Sequence, residues 1–225
     1  MNGNGITPDS IWNMDETGFQ IGVGKSKMVI TRRHNQASHL GVPTNRESAT
    51  AIEAISVEGE VCPAFLILSG RLHQDGWYKI PELSDDTVIG TSDSGYSNGF
   101  ISLEWIKHFA AHTAEMSKCQ YHLRFLDGYD SHHTFEFIEY AYNHNIILFG
   151  LPPHLTHLLQ PLDVVVFQPL KHWHSHTLDL IIRDGVEKVG KREFLTTIKD
   201  VRRKTLKPTT ISSSFAKTGI WPFDQ

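Results

Sequence analysis

The sequence predicts an α/β domain: a mixed sheet of five strands, the first three antiparallel, flanked by helices and followed by a helical C-terminal region. Three observations carry that expectation. Apolar runs at 49–57 and 61–68 are joined by only Glu58-Gly59-Glu60, short enough for a hairpin turn. A third run at 9–17, DSIWNMDET, is apolar enough to be buried on both faces. Further on, helical and strand-like segments alternate, giving the order three strands, helix, strand, helix, strand.

Taken in order, the first strand spans 9–17 and ends on acidic residues, and the next two follow at 49–57 and 61–68. Residues 70–101 are polar and rich in Gly, Ser and Asp, which predicts irregular structure until Ser102 caps the helix LEWIKHFAAHTAEM. YHLRFLD at 121–127 is the fourth strand, and TFEFIEYAYNHN at 134–145 a helix with Phe135, Ile138, Ala141 and Tyr142 on one side. IILFGL then supplies the fifth strand. Beyond Pro152-Pro153 a loop runs to LLQPLD, and a long helix follows with Val166, Leu170, Trp173, Thr177 and Ile181 on one stripe. Pro169 predicts a kink or restart near its beginning.

A chain of 225 residues can bury roughly 70% of its unfolded surface without covalent help. Its two cysteines, Cys62 and Cys119, lack CxxC spacing, so neither a disulfide framework nor a cysteine zinc site is supported, and a reducing compartment is expected. MNGNGITPDSIW has no basic stretch ahead of an apolar run, and no segment has the ~18 apolar residues that span a membrane. The expectation is a soluble, intracellular protein. A net charge of -4 argues against a self-sufficient nucleic-acid-binding domain, although 191–218 is locally basic.

Asp15, Asp127 and Asp163 are the candidate site. Asp15 closes the first predicted strand, Asp127 closes the fourth, and Asp163 lies between a proline turn and a helix. Ligands of open sheets bind at strand ends. Were the three carboxylates to meet, each pair at ~5 Å would repel by about 3 kcal/mol at an effective dielectric near 20, which cations must offset. Mg²⁺ suits such a set because it prefers carboxylate oxygens and completes its shell with water and phosphate oxygens. Two such ions would serve in-line displacement at a phosphodiester.

The segments IWNMDETG, FLDGYDSHHT and LPPHLTHLLQPLDVVVFQPLK resemble the three signature blocks of the pogo branch of the mariner superfamily of DDE transposases, which includes jerky and centromere protein B relatives. They occur in the family's order, 35 residues separate Asp127 from Asp163, and SSSFAKTGIWPFD is similar to the end of the family domain. The resemblance implies an RNase H-like DDE endonuclease core that cleaves and joins DNA with two Mg²⁺ or Mn²⁺ ions, held by Asp15, Asp127 and Asp163. His154 and His157, on the loop leading to Asp163, are candidate contacts to a scissile phosphate, and His132, Gln160 and Lys171 from the same blocks join them.

The implied organisation is a lead-in at 1–8, a catalytic domain at 9–185 and a helical extension of the same domain at 186–225. DNA is the implied partner, with no membrane and a homodimer as the candidate assembly, and the implied location is the nucleus. Family members carry helix-turn-helix domains ahead of this core, so a truncated copy is expected. Gly128-Tyr129-Asp130 departs from the family's His-Gly or Asn-rich step. A second reading therefore stays open: a domesticated protein that binds DNA or other proteins without cutting.

Other signals are discounted. His172, His174 and His176 would line one face of a strand, but on a helix alternate residues diverge by about 200°. Gly22-Val23-Gly24-Lys25-Ser26 misses phosphate-loop spacing by one residue and predicts a turn. Glu16, next to Asp15 on a strand, should face the other way.

Overall fold

The computed structural model describes residues 7–21, 47–114, 122–126, 134–152, 155–184, 186 and 189–223. Among them six strands form one sheet: β1 (Ile11–Ile21), β2 (Glu47–Ser56), β3 (Phe65–Ser69), β4 (Val88–Ser92), β5 (His122–Leu126) and β6 (Ile146–Gly150). Their spatial order is β4-β3-β2-β1-β5-β6. β2 runs antiparallel to β1 and β3, while β5 pairs parallel with both β1 and β6. This is the RNase H-like arrangement, with six strands rather than the expected five.

The additional strand, β4, lies inside the stretch expected to be irregular and pairs parallel with β3 along the sheet edge. Its sequence, VIGTS, buries only Ile89, so it gives little of the apolar signal that marks a central strand. β3 begins at Phe65 rather than at 61, because Pro63 has no N–H to give to the ladder. Ahead of it only an isolated bridge, Ile55 to Val61, continues the pairing.

Helices cover both faces. α1 (Gly99–Thr113) and α2 (Phe135–Asn143) pack on one side, where Trp12, Met14, Phe65 and Ile67 meet Trp105, Phe109 and Phe137. On the other side Ile11, Phe19, Ala51 and Leu66 meet residues of a short helix α3 (Thr156–Leu159), a π-helical turn (Leu162–Val166), α4 (Phe167–Arg183), α5 (Lys191–Thr205) and α6 (Pro208–Lys217). Strand alternation sends odd-numbered β1 residues to this second face and even-numbered ones to the first. Phe194, Leu195, Ile198, Ile211 and Phe215 share the core with β1.

Three helices differ from expectation. α1 starts four residues early: the Asn98 side chain accepts the Ile101 N–H at 3.0 Å, and Ser102 is buried within the helix instead of capping it. On α2 the buried residues are Phe137 and Ala141, whereas Phe135 and Tyr142 are 73% and 83% exposed. The expected apolar side is therefore largely the solvent side. Pro169 falls in the first turn of α4, and the helix enters from a π turn just upstream, where the regular bonding pattern is altered, instead of restarting. Along α4 the buried residues are Phe167, Leu170, His174 and Leu178, a stripe rotated from the expected one. His172 and His176 are exposed, so the three alternating histidines do diverge as a helix requires.

Candidate metal centre

Asp15 lies in the middle of β1, not at its end as expected. β1 continues through ten antiparallel pairs with β2, so the strand outlasts its acidic stretch. The expected position at a strand edge survives on one side only: the described pairing of β1 with β5 stops at Asn13 opposite Phe125. Asp15 thus stands two residues beyond the last described pair of β1 with β5. Its side chain is 7% exposed, on the odd-numbered face, and Oδ1 accepts the Glu16 N–H at 2.7 Å. Glu16 turns to the opposite face, where the Ser97 hydroxyl donates to Oε2 at 2.8 Å. The alternation expected of the two acids holds.

The segment carrying Asp163 is fastened to β1 beside Asp15. Gln160 Nε2 donates to the Met14 carbonyl at 3.2 Å, and the Leu162 N–H donates to Asn13 Oδ1 at 3.0 Å. All the side chains making these two bonds are fully buried. The π turn then presents Asp163 outward, while Leu162 and Val166 anchor it in the core. Gln160, a candidate substrate contact, is inaccessible to solvent and acts as a strap. Asn13 has no assignment from sequence. A polar residue two positions before Asp15, on the same face of an otherwise buried strand, is the signal that marks it.

Solvent reaches the Asp163 carboxylate, yet partial burial raises its pKa above the ordinary aspartate value, against the opposing pull of Lys171 and His157. That pull places Lys171, on α4, and His157, on α3, in the electrostatic neighbourhood of Asp163. Asp127, His132 and His154 lie outside the described residues, as do Tyr129 and Asp130. β5 ends one residue before Asp127. Among the described residues, no three His, Cys, Asp or Glu side chains cluster closely enough to hold a metal ion.

The donors fit a hard divalent cation all the same. Asp15 and Asp163 offer carboxylate oxygens, the ligand type Mg²⁺ and Mn²⁺ prefer. Desolvation disfavours the charged form of Asp163, and a bound cation would reverse that preference.

On the same sheet face, Arg202 of α5 forks onto Glu53 of β2. Nε donates to Oε1 at 2.9 Å and Nη2 to Oε2 at 2.8 Å, with a further bond from Nη2 to the Cys62 carbonyl at 2.8 Å. Burial works against the guanidinium charge, but the attraction and hydrogen bonds of Glu53 outweigh it and raise the Arg202 pKa. Arg202 therefore drops out of the basic surface expected at 191–218. Lys191 is also engaged, 3.8 Å from Glu47.

A curated relative, the MFS-type transporter clz9 of Cochliobolus lunatus, is 31% identical over 218 residues, which is 96% of this chain and 24% of the relative. The chain thus spans about a quarter of that protein's length. Among the described residues no helix is long and apolar enough to cross a membrane. Solved structures similar to the chain include a pre-cleavage Mos1 transpososome, with 12% identity, TM-score 0.49, and 92% of this chain and 56% of that one covered. They also include the catalytic domain of Mos1 mariner transposase, with 12% identity, TM-score 0.46 and coverages of 94% and 83%. The family model for DDE superfamily endonuclease matches residues 45–215, a range that holds Asp127 and Asp163 and begins after Asp15. Because that match takes in well over half of the sequence, the chain belongs to the DDE superfamily endonucleases.

Proposed function

We propose that this chain is the catalytic core of a transposase-type enzyme that cleaves DNA strands and joins them, with Asp15, Asp127 and Asp163 as ligands for two Mg²⁺ or Mn²⁺ ions. The observation that carries the reading is the strap: two buried hydrogen bonds, from Gln160 and Leu162, fasten the Asp163 segment to β1 at Met14 and Asn13, next to Asp15. β5, which ends one residue before Asp127 in the sequence, is the parallel neighbour of that same stretch. That described segments next to each carboxylate in the sequence adjoin one part of β1 supports the reading.

The divalent ions would activate the attacking oxygen and stabilise the departing one at a phosphodiester. Asp15, buried in the sheet, supplies a rigid ligand, and Asp163, on the π turn, a more accessible one. Lys171 and His157 sit near Asp163 with donors suited to phosphate oxygens, and His132 and His154 belong to the same proposed set. Gln160 holds the segment in place. A nuclear location follows from chromosomal DNA as substrate.

The deciding experiment is a strand-cleavage and strand-transfer assay on element-end DNA with Mg²⁺, with a DNA-binding module supplied in trans or by fusion. Metal-dependent nicking by the parent that disappears in Asp127→Ala supports the reading. Equal cutting by Asp127→Ala overturns it. DNA binding without cleavage by a parent that binds metal supports the non-cutting alternative.

A further inference from the structure

His172 and His176 stand four positions apart on α4, and both are exposed. The helical geometry that carries His174 into the core, against Phe19 and Phe194, turns these two onto one solvent face. Their ring centroids lie 6.5 Å apart, with the planes inclined by 26°. Among the described residues neither ring makes a hydrogen bond, so each has nitrogens open to a ligand from solvent.

Two histidines four positions apart on one helix face are a spacing that chelates zinc. Neutral imidazole suits Zn²⁺ and Cu²⁺, whereas the hard cations favoured by carboxylates take oxygen ligands. An ion about 2 Å from one nitrogen of each ring would draw the centroids to roughly 5 Å. Exposed side chains reach that separation by turning about their own χ angles, with the helix unmoved. α1 carries a second pair at the same spacing, His108 and His112, with centroids 4.4 Å apart. There His108 is buried and its Nε2 donates to the Pro63 carbonyl at 3.0 Å, while His112 Nδ1 donates to the His108 carbonyl at 3.0 Å. Closeness alone therefore does not make a site. Among the described residues, the α4 pair alone combines the spacing with exposure of both rings.

We propose that His172 and His176 chelate an imidazole-preferring divalent ion, Zn²⁺ or Cu²⁺, on the exposed face of α4, with water in the remaining coordination positions. Among the described residues no third His, Cys, Asp or Glu completes the set, so the site is open to solvent. Trp173 flanks it: its ring meets those of His172 and His176 edge-on, at centroid distances of 5.9 and 5.6 Å, and the Lys204 ammonium lies 4.9 Å from its centroid. A bound ion would tie together two turns of α4. The inference is independent of the reading of Asp15, Asp127 and Asp163 as metal ligands, because it uses a different class of donor and a different class of ion.

The test uses the full chain without an affinity tag, in excess Mg²⁺. Calorimetric titration with Zn²⁺ should show one more bound ion for the parent than for the double variant His172→Gln with His176→Gln. Each single variant should weaken that ion by about tenfold or more, since loss of one imidazole removes the intramolecular step of binding. With Cu²⁺ as the probe, pulsed electron paramagnetic resonance should count two imidazoles on the ion in the parent and one in each single variant. Copper should also quench a component of the tryptophan fluorescence that Trp173→Phe removes. Because both histidines are exposed, the metal-free variants should keep the parent's Tm, which separates a lost ligand from a lost fold.

Equal stoichiometry and affinity in the parent and the double variant overturn the proposal. A single variant that retains the parent's affinity does so too, since one histidine is not a chelate. Copper quenching undiminished by Trp173→Phe places the ion elsewhere and has the same consequence.

Discussion

Asn13 and Leu162, 149 positions apart, are joined by a buried hydrogen bond in which the Leu162 N–H donates to Asn13 Oδ1 at 3.0 Å. The bond satisfies a backbone donor at the start of the π turn, where no helical carbonyl is available to it. Asn13→Ala leaves that N–H buried and unpaired, at a cost of about 1–3 kcal/mol. In a chain of this length that amounts to a fall in Tm of ~2–4 °C per kcal/mol. Asn13→Asp keeps the acceptor and should retain the turn's geometry better than Ala. The check is thermal unfolding of both variants, and an Asn13→Ala protein as stable as the parent would deny the strap its role.

Asp163 predicts a metal-linked reversal of stability. Its pKa is raised in the folded state, so between the ordinary aspartate value and the raised one the native protein binds more protons than the unfolded chain. Stability contributed by the protonated form is therefore lost as pH rises through that window, and at neutral pH Asp163 in its charged form is a liability to the metal-free fold. Asp163→Asn should be at least as stable as the parent without metal. In excess Mg²⁺ the order reverses, since binding at a hundred times Kd stabilises the parent by about 2.7 kcal/mol and the variant gains little. Equal Mg²⁺ shifts in the two proteins, measured by thermal unfolding, would remove Asp163 from the site.

His174 predicts acid sensitivity of the same core. Its ring lies between Phe19 and Phe194, at centroid distances of 4.9 and 5.6 Å, and burial lowers its pKa although Nε2 donates to the Gln20 carbonyl. A base with a depressed native pKa is neutral in the fold and protonates first in the unfolded chain. Stability is then complete above the unfolded value, about 6.5, and declines as pH falls below it. His174→Leu should flatten that decline. It should not abolish it, because His108, buried where its Nε2 donates to the Pro63 carbonyl at 3.0 Å, is depressed by burial in the same direction. Denaturation midpoints across pH 5 to 8 test this, and an unchanged slope in the variant counts against it.

What could be read from the sequence depended on whether the signal was local. β1, β2, β5 and β6 each hold several apolar residues in a short stretch, and they stand where expected to within a few residues. β4 was invisible because an edge strand of five residues with one buried side chain has no such run. Asp15 and Asp163 stand out in the sequence as acids next to apolar blocks, whereas the strap between their segments has no local signature. Burial of Asn13 and Gln160 depends on partners about 150 positions away, which no local pattern encodes. Glu53 reads locally as one polar residue in an apolar strand, because its partner Arg202 lies 149 positions away in a basic stretch.

The helix α2 shows the same limit in a form that a pair of substitutions can test. FEFIEYAYN has aromatic or aliphatic side chains on every side, so helical periodicity alone does not choose which face is buried. Contact with α1 and the sheet chooses Phe137 and Ala141, placing them among Trp12, Met14 and Phe109, and leaves Phe135 in solvent. Phe137→Ala opens a cavity in that layer and should cost about 3–5 kcal/mol. Phe135→Ala removes no buried contact and should change stability by no more than ~0.5 kcal/mol. Chemical denaturation of the two variants separates the faces: a loss at Phe135 matching that at Phe137 would mean that α2 is rotated, and that the layer packed against Trp12 and Met14 on β1 differs from the one described.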